Sequence, residues 1–203
     1  SLLSLARQLI INAWGRHQLI LQRHEAEAKI QAKNKLLANK AAYSQTLLRG
    51  SNTLFLSTRD NIKRNIQEVL IQAALISGHQ QALIHYEKNS SKHLNSFIQQ
   101  HLYIDPNQQQ DCPNLIKWIN KELNQKPILQ VDDTNKSSLS NKLSVELKTH
   151  KIQGLTAIKL NRAELNIGFI IFYNSLPILN NNDESLRFLE LTGQNLSAAI
   201  QHH

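Results

Sequence analysis

Apolar positions recur at intervals of three and four along the first quarter of the chain. From Ile30 the series runs Ile30, Asn34, Leu37, Ala41, Ser44, Leu48, Ser51 and Phe55. That spacing places them on one stripe of a helix and resembles a coiled-coil seam with polar interruptions. Residues 3–56 lack proline, contain only Gly15 and Gly50 as glycines, and are rich in Ala, Leu, Gln, Lys, Arg and Glu. They predict one long helix of roughly 80 Å at 1.5 Å per residue. The alternative is two shorter helices broken near Gly15 or Gly50. A second helix is predicted after Ser57 or Thr58, with Asp60 completing a capping box. Its stripe is Ile62, Ile66, Val69, Leu70, Ala73 and Ala74, and Ser77-Gly78 ends it.

Beyond Gly78 the period shortens. Residues 81–89 and 96–104 read as paired strands, and 105–113 as a loop. Pro113 opens a short helix carrying Leu115, Ile116, Ile119 and Leu123. Residues 126–133 read as a strand ending in Asp132 and Asp133, followed by a polar loop and a short helix through Leu143 and Leu147. Residues 154–162 and 165–174 form the clearest hairpin, with a turn near Arg162–Glu164. The second of these strands is almost wholly apolar, which predicts a central position. From Asp183 a last helix carries Leu186, Leu189, Gly193, Leu196 and Ile200, another candidate seam for helix pairing. The order predicts an α+β fold, with a central antiparallel sheet of five to six strands flanked by helices. A connector helix over 1–56 and a domain over 57–203 are the expected units.

Charge changes the picture in one place. The 203 residues carry a net +8. Residues 1–56 hold eight Lys/Arg against Glu25 and Glu27, a net +6, whereas 57–203 are nearly balanced at +2. A nucleic-acid-binding domain concentrates charge on its own globular part, so nucleic acid is not the expected partner. A basic helix docking on nucleic acid or an anionic surface remains the alternative, and steep salt dependence would reveal it. A single cysteine, Cys112, excludes an internal disulfide and a thiolate metal cage, and suits a reducing, cytoplasmic setting. The nine histidines show no metal spacing apart from the adjacent terminal pair, so no metal is expected. No apolar run is long enough to span a membrane. The chain contains no methionine and reads as an excised fragment.

Four stretches, in this order, resemble the GAF domain of bacterial signalling proteins. They are LFLSTRDNIKRNIQEVLIQAALISGHQQALIHYEKN, CPNLIKWINKELNQKPILQVDD, GLTAIKLNRAELNIGFIIFYNS with Gly168 before its apolar strand, and NNDESLRFLELTGQNLSAAIQ. Lys159 departs from the proline common in that family. Residues 5–13 resemble the closing helix again, Gln8 falling on Gln194 and Ala13 on Ala199, as if an upstream domain ended there.

The resemblance implies a sheet with terminal helices on one face and a ligand pocket on the other. It implies Tyr86, Trp118 and Phe172 as aromatics that line or fill that pocket, with Asp132 and Asp133 at its rim. If side chains fill it, the domain is a transmitter without a small-molecule ligand. It also implies a non-catalytic sensory module that forms a homodimer through Ile30, Leu37, Ala41, Leu48, Phe55, Leu189, Leu196 and Ile200. Such a module passes its signal to an output domain elsewhere in the chain. The cofactor stays unknown. Reduction of methionine sulfoxide needs two thiols. Cys112 precedes Pro113 and not a histidine, unlike the bilin-binding members. Asn135-Lys136, Phe172 and Asp183-Glu184 echo a cyclic-nucleotide signature, but ten residues separate Phe172 from Asp183, a wider gap than that signature has.

Overall fold

The computed structural model describes residues 2–86, 112–162, 165–178 and 183–202. Helix α1 runs unbroken over Leu2–Phe55, so Gly15 and Gly50 are absorbed without a break. The remaining elements are α2 (Ile62–Ile76), β1 (Gln81–Tyr86), α3 (Pro113–Leu123), β2 (Ile128–Val131), α4 (Asn141–Thr149), β3 (Gly154–Arg162), β4 (Leu165–Asn174) and α5 (Asp183–His202). The chain divides into two compact units, Ser1–Ala42 and Tyr43–His203. The division falls inside α1, ahead of the expected boundary at 56, because the helix's last turns join the globular core. Tyr43 stacks on Phe188 at 4.8 Å, and Leu54 is buried beside them.

The strands lie in the order β1-β4-β3-β2, every pair antiparallel. Four strands are thus present among the described residues, fewer than the five to six expected. The strand expected at 96–104 lies outside those residues. The apolar β4 is central, as its sequence predicts, and both of its faces are covered. Ile170 and Phe172 meet α2, α5 and the end of α1, whereas Phe169, Ile171 and Tyr173 meet α3 and α4.

One residue breaks this alternation. Leu160 pairs with Gly168 but Asn161 pairs with Asn166, so Ile167 is the extra residue of a bulge. Gly168 takes φ 146° there, a conformation open to glycine. The bulge turns Ile167 into the α2/α5 core alongside Ile170, where simple parity would place it on the other face.

Local chemistry explains the ends of the second helix. The expected capping box does not form. Ser57 instead donates to the Thr53 carbonyl at 2.8 Å, closing α1. Asn61 is the N-cap of α2, and its Oδ1 accepts from the Thr58 N–H at 2.6 Å. At the C-terminus Gly78, at φ 78°, closes a Schellman turn, with Gly78 N–H donating to Leu75 O and His79 N–H to Ala74 O.

His79 follows that turn into the interior. The Ser77 hydroxyl gives its proton to the Ala73 carbonyl at 2.7 Å. Its oxygen is therefore the acceptor for His79 Nδ1, 2.8 Å away, and Nε2 accepts from Thr156 Oγ1 at 3.2 Å. Burial pushes the pKa of this imidazole down to about 4 from 6.5. Neutral His79 therefore contributes stability that is fully present above its unfolded value of 6.5 and is lost as pH falls towards about 4. The loss approaches about 3 kcal/mol. We predict that urea unfolding loses that much more stability between about pH 7 and pH 4 in the wild type than in His79→Gln. Equal losses in the two proteins would refute it.

Candidate functional site

A cavity of about 180 Å³ opens on the α3/α4 side of the sheet, near its β1 edge. It lies where β1 begins, β4 ends, α3 starts and α4 turns into β3. Leu83, Leu115, Ile116, Ile152 and Ile171 form its apolar wall. Gln80, Gln81, Cys112, His150, Lys151, Tyr173 and Ser175 supply the polar atoms, and no carboxylate occurs among the described lining residues.

Hydrogen bonds fix the corner beside it. Asn174 Oδ1 accepts from Gln80 N–H at 2.6 Å, and its Nδ2 donates to the Gly78 carbonyl at 3.2 Å. Gln80 Oε1 accepts from both Ser175 N–H and Oγ, at 2.8 and 2.7 Å. The start of β1 and the end of β4 are thereby locked in register. The α3 wall is held by Glu146 of α4. Its Oε1 accepts from Leu115 N–H at 2.8 Å, and its Oε2 from Asn114 N–H and Nδ2 at 3.2 and 2.6 Å. A carboxylate on these first-turn donors also suits the positive end of the helix.

Two lining residues stand out. Tyr173 is 8% exposed, and its phenol is pushed up to about 12, first by burial and then by the neighbouring Cys112 thiol. It remains a neutral hydroxyl across the physiological range. Lys151 adopts φ 55° at the end of α4, the position that Gly78 takes in α2. The bonds match too, with Lys151 N–H donating to Lys148 O and Ile152 N–H to Leu147 O. A side chain in that conformation costs roughly 1–2 kcal/mol.

Of the residues expected from sequence, Trp118, Asp132, Asp133 and Phe172 are not among the described residues that line this cavity. Phe172 is fully buried but faces the α2/α5 core beside His79, because its parity on β4 is opposite to that of Tyr173. Trp118 is half-buried and packs against the α3/α4 core. Tyr86 ends β1 opposite Gly168, and its side chain is outside the described set. Asp132 accepts from Gln130 Nε2, and its carbonyl accepts from Ile178 N–H. Asp133 caps a turn by accepting from Asn135 N–H at 2.9 Å and pairs with Lys136 at 3.5 Å. The two carboxylates thus shape the β2 loop. Among the described residues no cluster of metal-ligating groups occurs.

Sequence reasoning missed Tyr173, Lys151, Gln81 and Ser175. Tyr173 carried a signal, being the one polar side chain in the run Gly168–Tyr173. Lys151 carried none beyond a helix ending without a glycine.

No protein-family profile matches the sequence, and no curated protein matches it. Solved structures do. The phycocyanobilin-bound GAF domain of a cyanobacterial phytochrome aligns at TM-score 0.60 and 12% identity, over 79% of this chain and 94% of that one. The chain has a GAF fold. The GAF domain of the cyanobacteriochrome TePixJ aligns at 0.56 and 12% identity, over 74% and 93% of the two chains. The GAF domain of a candidate sensor histidine kinase from Pseudomonas syringae pv. tomato aligns at 0.50 and 14% identity, over 83% and 93%. At such identities the likeness concerns the fold.

The neighbour's bilin is not carried over with the GAF fold. Here Ile119 of α3 and Phe169 and Ile171 of β4 are fully buried and pack over the middle of the sheet. The remaining 180 Å³ is below the roughly 300–1,000 Å³ of sites for drug-sized ligands. We predict that Glu146→Ala lowers stability by about 1–2 kcal/mol in denaturant unfolding, by orphaning the first-turn N–H groups of α3. An unchanged midpoint would show that water replaces the carboxylate without cost.

Proposed function

We propose that the chain is a non-catalytic sensory or regulatory GAF module that pairs with a second copy through its terminal helices. It biases an output domain of the same polypeptide. The observation that carries this reading is the double face of α1. Its last turns bury Leu54 and pack Tyr43 and Leu47 against the domain core. A different stripe stays in solvent, with Ile30 57%, Leu37 63%, Leu48 67% and Phe55 80% exposed. Ala41 is exposed on the same stripe. Large side chains so exposed at coiled-coil spacing are unusual on a surface without a partner.

The share of α5 in this pairing differs from the sequence expectation. Leu189, Leu196 and Ile200 are buried in the domain's own core, because that stripe faces the sheet and α2. The outward face of α5 offers Leu191 and Ala198 instead. Beside them a groove of about 400 Å³ runs between α5 and the end of α1, lined by Ser51, Leu54, Phe55, Asn195, Ala198 and Ala199. Asn195 Nδ2 donates to Ser51 Oγ at 2.7 Å across its floor. A second copy fits this groove because Phe55 at its edge supplies the apolar group that a two-fold contact would insert there.

Relay follows as a population shift. Two packings of a polar-interrupted seam lie close in energy, so a small bias at the domain changes their ratio. The neighbours that carry this fold include the GAF domain of a candidate sensor histidine kinase, which supports a linked output. Arg23 pairs with Glu27 at 2.8 Å, so basic groups and carboxylates interleave within residues 1–56, and this favours pairing over docking on nucleic acid.

The test is sedimentation of the full chain. We expect a dimer at micromolar concentration, and a monomer for the double variant Leu37→Glu, Leu48→Glu with an unchanged thermal midpoint. These side chains are exposed, so the substitutions leave the domain core intact. A monomeric wild type, or a double variant that stays dimeric, overturns the pairing.

A further inference from the structure

The exposed stripe of α1 also bears on how a second copy is oriented, which pairing alone leaves open. Along the stripe Asn34, Ala41, Leu48 and Phe55 fall on one set of core positions, and Ile30, Leu37, Ser44 and Ser51 on the other. Two flanks border it. Lys33, Lys40, Leu47 and Leu54 form one, and Gln31, Ala38, Gln45 and Asn52 form the other. In a parallel pair each flank meets the opposite flank of the second helix. Reversing one helix exchanges its sides, so in an antiparallel pair each flank meets its own kind. The flanks therefore decide orientation.

Charge separates the two arrangements over residues 30–41. No Asp or Glu occurs between Ala28 and Leu56, so no carboxylate of this stretch neutralises its lysines. Set antiparallel about its middle, the stretch brings Lys33 to Lys40 of the second copy and Lys40 to Lys33. It also sets Asn34 against Leu37, which buries an amide beside an apolar side chain. Set parallel and in register, Lys33 meets Ala38 and Lys40 meets Gln45. Asn34 then meets Asn34, and the two amides bond each other. A slip of one heptad loses that bond, because Asn34 then faces Ala41.

Shape gives the same answer over residues 43–55. The flank of Leu47 and Leu54 belongs to the domain's own core. Leu54 is buried, Leu47 packs against the core cluster, and Tyr43 on the same side stacks on Phe188. Gln45 and Asn52 on the other flank are exposed. An antiparallel pair over this stretch drives two domain-covered flanks together. A parallel pair sets each covered flank against an open one.

We propose that a second copy pairs along α1 in parallel and in register, with Asn34 as the residue that specifies the register. The proposal rests on the pairing set out above and adds its direction. Leu37, Leu48 and Phe55 then each pack on their own counterpart. Asn34 weakens the seam, but every other alignment buries its amide unpaired.

The experiment is oxidative cross-linking of the full chain in a Cys112→Ser background. Ile30→Cys and Leu48→Cys are added one at a time and read on non-reducing gels. Both side chains are exposed, and an unchanged thermal midpoint shows that the fold is intact. The two positions lie about 27 Å apart along the helix. A disulfide needs Cα atoms within about 7 Å, so each cysteine links only where its own counterpart stands opposite. No antiparallel register achieves that at both positions. We expect covalent dimer from both variants. Asn34→Leu should pair about tenfold more tightly and lower the Ile30→Cys yield about twofold or more. An unchanged yield overturns the role of Asn34. A dimer that cross-links at neither position, or at only one, overturns the parallel register and leaves the pairing standing. A chain that sediments as a monomer overturns both.

Discussion

Strand β4 is apolar on both faces and must be covered twice. From that constraint the architecture follows. A central strand needs a neighbour on each edge, which β1 and β3 supply, and a helical layer on each face. Phe172 and Ile170 draw in α2, α5 and the last turns of α1, while Phe169 and Ile171 draw in α3 and α4. Each buried phenylalanine or isoleucine contributes roughly 1.5–3 kcal/mol over leaving it in water. The five consecutive large residues Phe169–Tyr173 therefore outweigh any local preference of the loops around them. The bulge at Ile167 adds one more side chain to the α1 side of the sheet and removes one from the α3 side.

The polar corner has a different task. Where α2 ends and β1 begins, the chain reverses beside β4, and the backbone groups of the reversal must be satisfied away from water. Asn174 clamps both Gly78 and Gln80, and His79 reaches through the gap to Thr156 on β3. These bonds set where β1 starts relative to the end of β4. They also set how far apart Gln80, Ser175 and Tyr173 stand, and so shape the cavity. A corner made of neutral, fully directed hydrogen bonds holds its geometry better than packing alone, because each lost bond leaves a buried group unpaired.

Much of this was legible before any coordinates. The helix pattern from residue 3 to 56, the hairpin at 154–174 and the central position of its second strand follow from periodicity and composition. The helix boundary at Gly78 follows from the glycine. What periodicity could not supply was which face of a two-sided strand looks at which layer. Phe172 and Tyr173 are adjacent and both aromatic, and only the tertiary arrangement sends the first to the α2/α5 core and the second to the cavity. The same ambiguity affected α5, whose regular stripe of Leu189, Leu196 and Ile200 has the spacing of a pairing seam but serves the internal core. Lys151 was invisible for another reason. A left-handed lysine is decided by the bonds of the turn and not by the residue's own preference. Asp132 and Asp133 drew attention as adjacent carboxylates, and the structure gives them local partners, Gln130 Nε2 for the first and Asn135 N–H for the second.

The arrangement of β4 also brings the two helical layers close to one another. Tyr173 and Phe172 are neighbours on one strand that point in opposite directions. The cavity and the α2/α5 core are therefore separated by the thickness of a single sheet. Phe172 lies in the same cluster as Leu54 of α1 and Leu196 of α5, and its ring is 5.7 Å from that of His79. A close-packed core transmits a small displacement of a strand because its side chains have no voids in which to absorb it. The bulge at Ile167 and Gly168 bends β4 and increases its local twist, while Asn174 anchors its far end. A strand anchored at one end, bulged at the other and packed on both faces ties the two layers together. The last turns of α1 enter that same core through Tyr43 and Leu54.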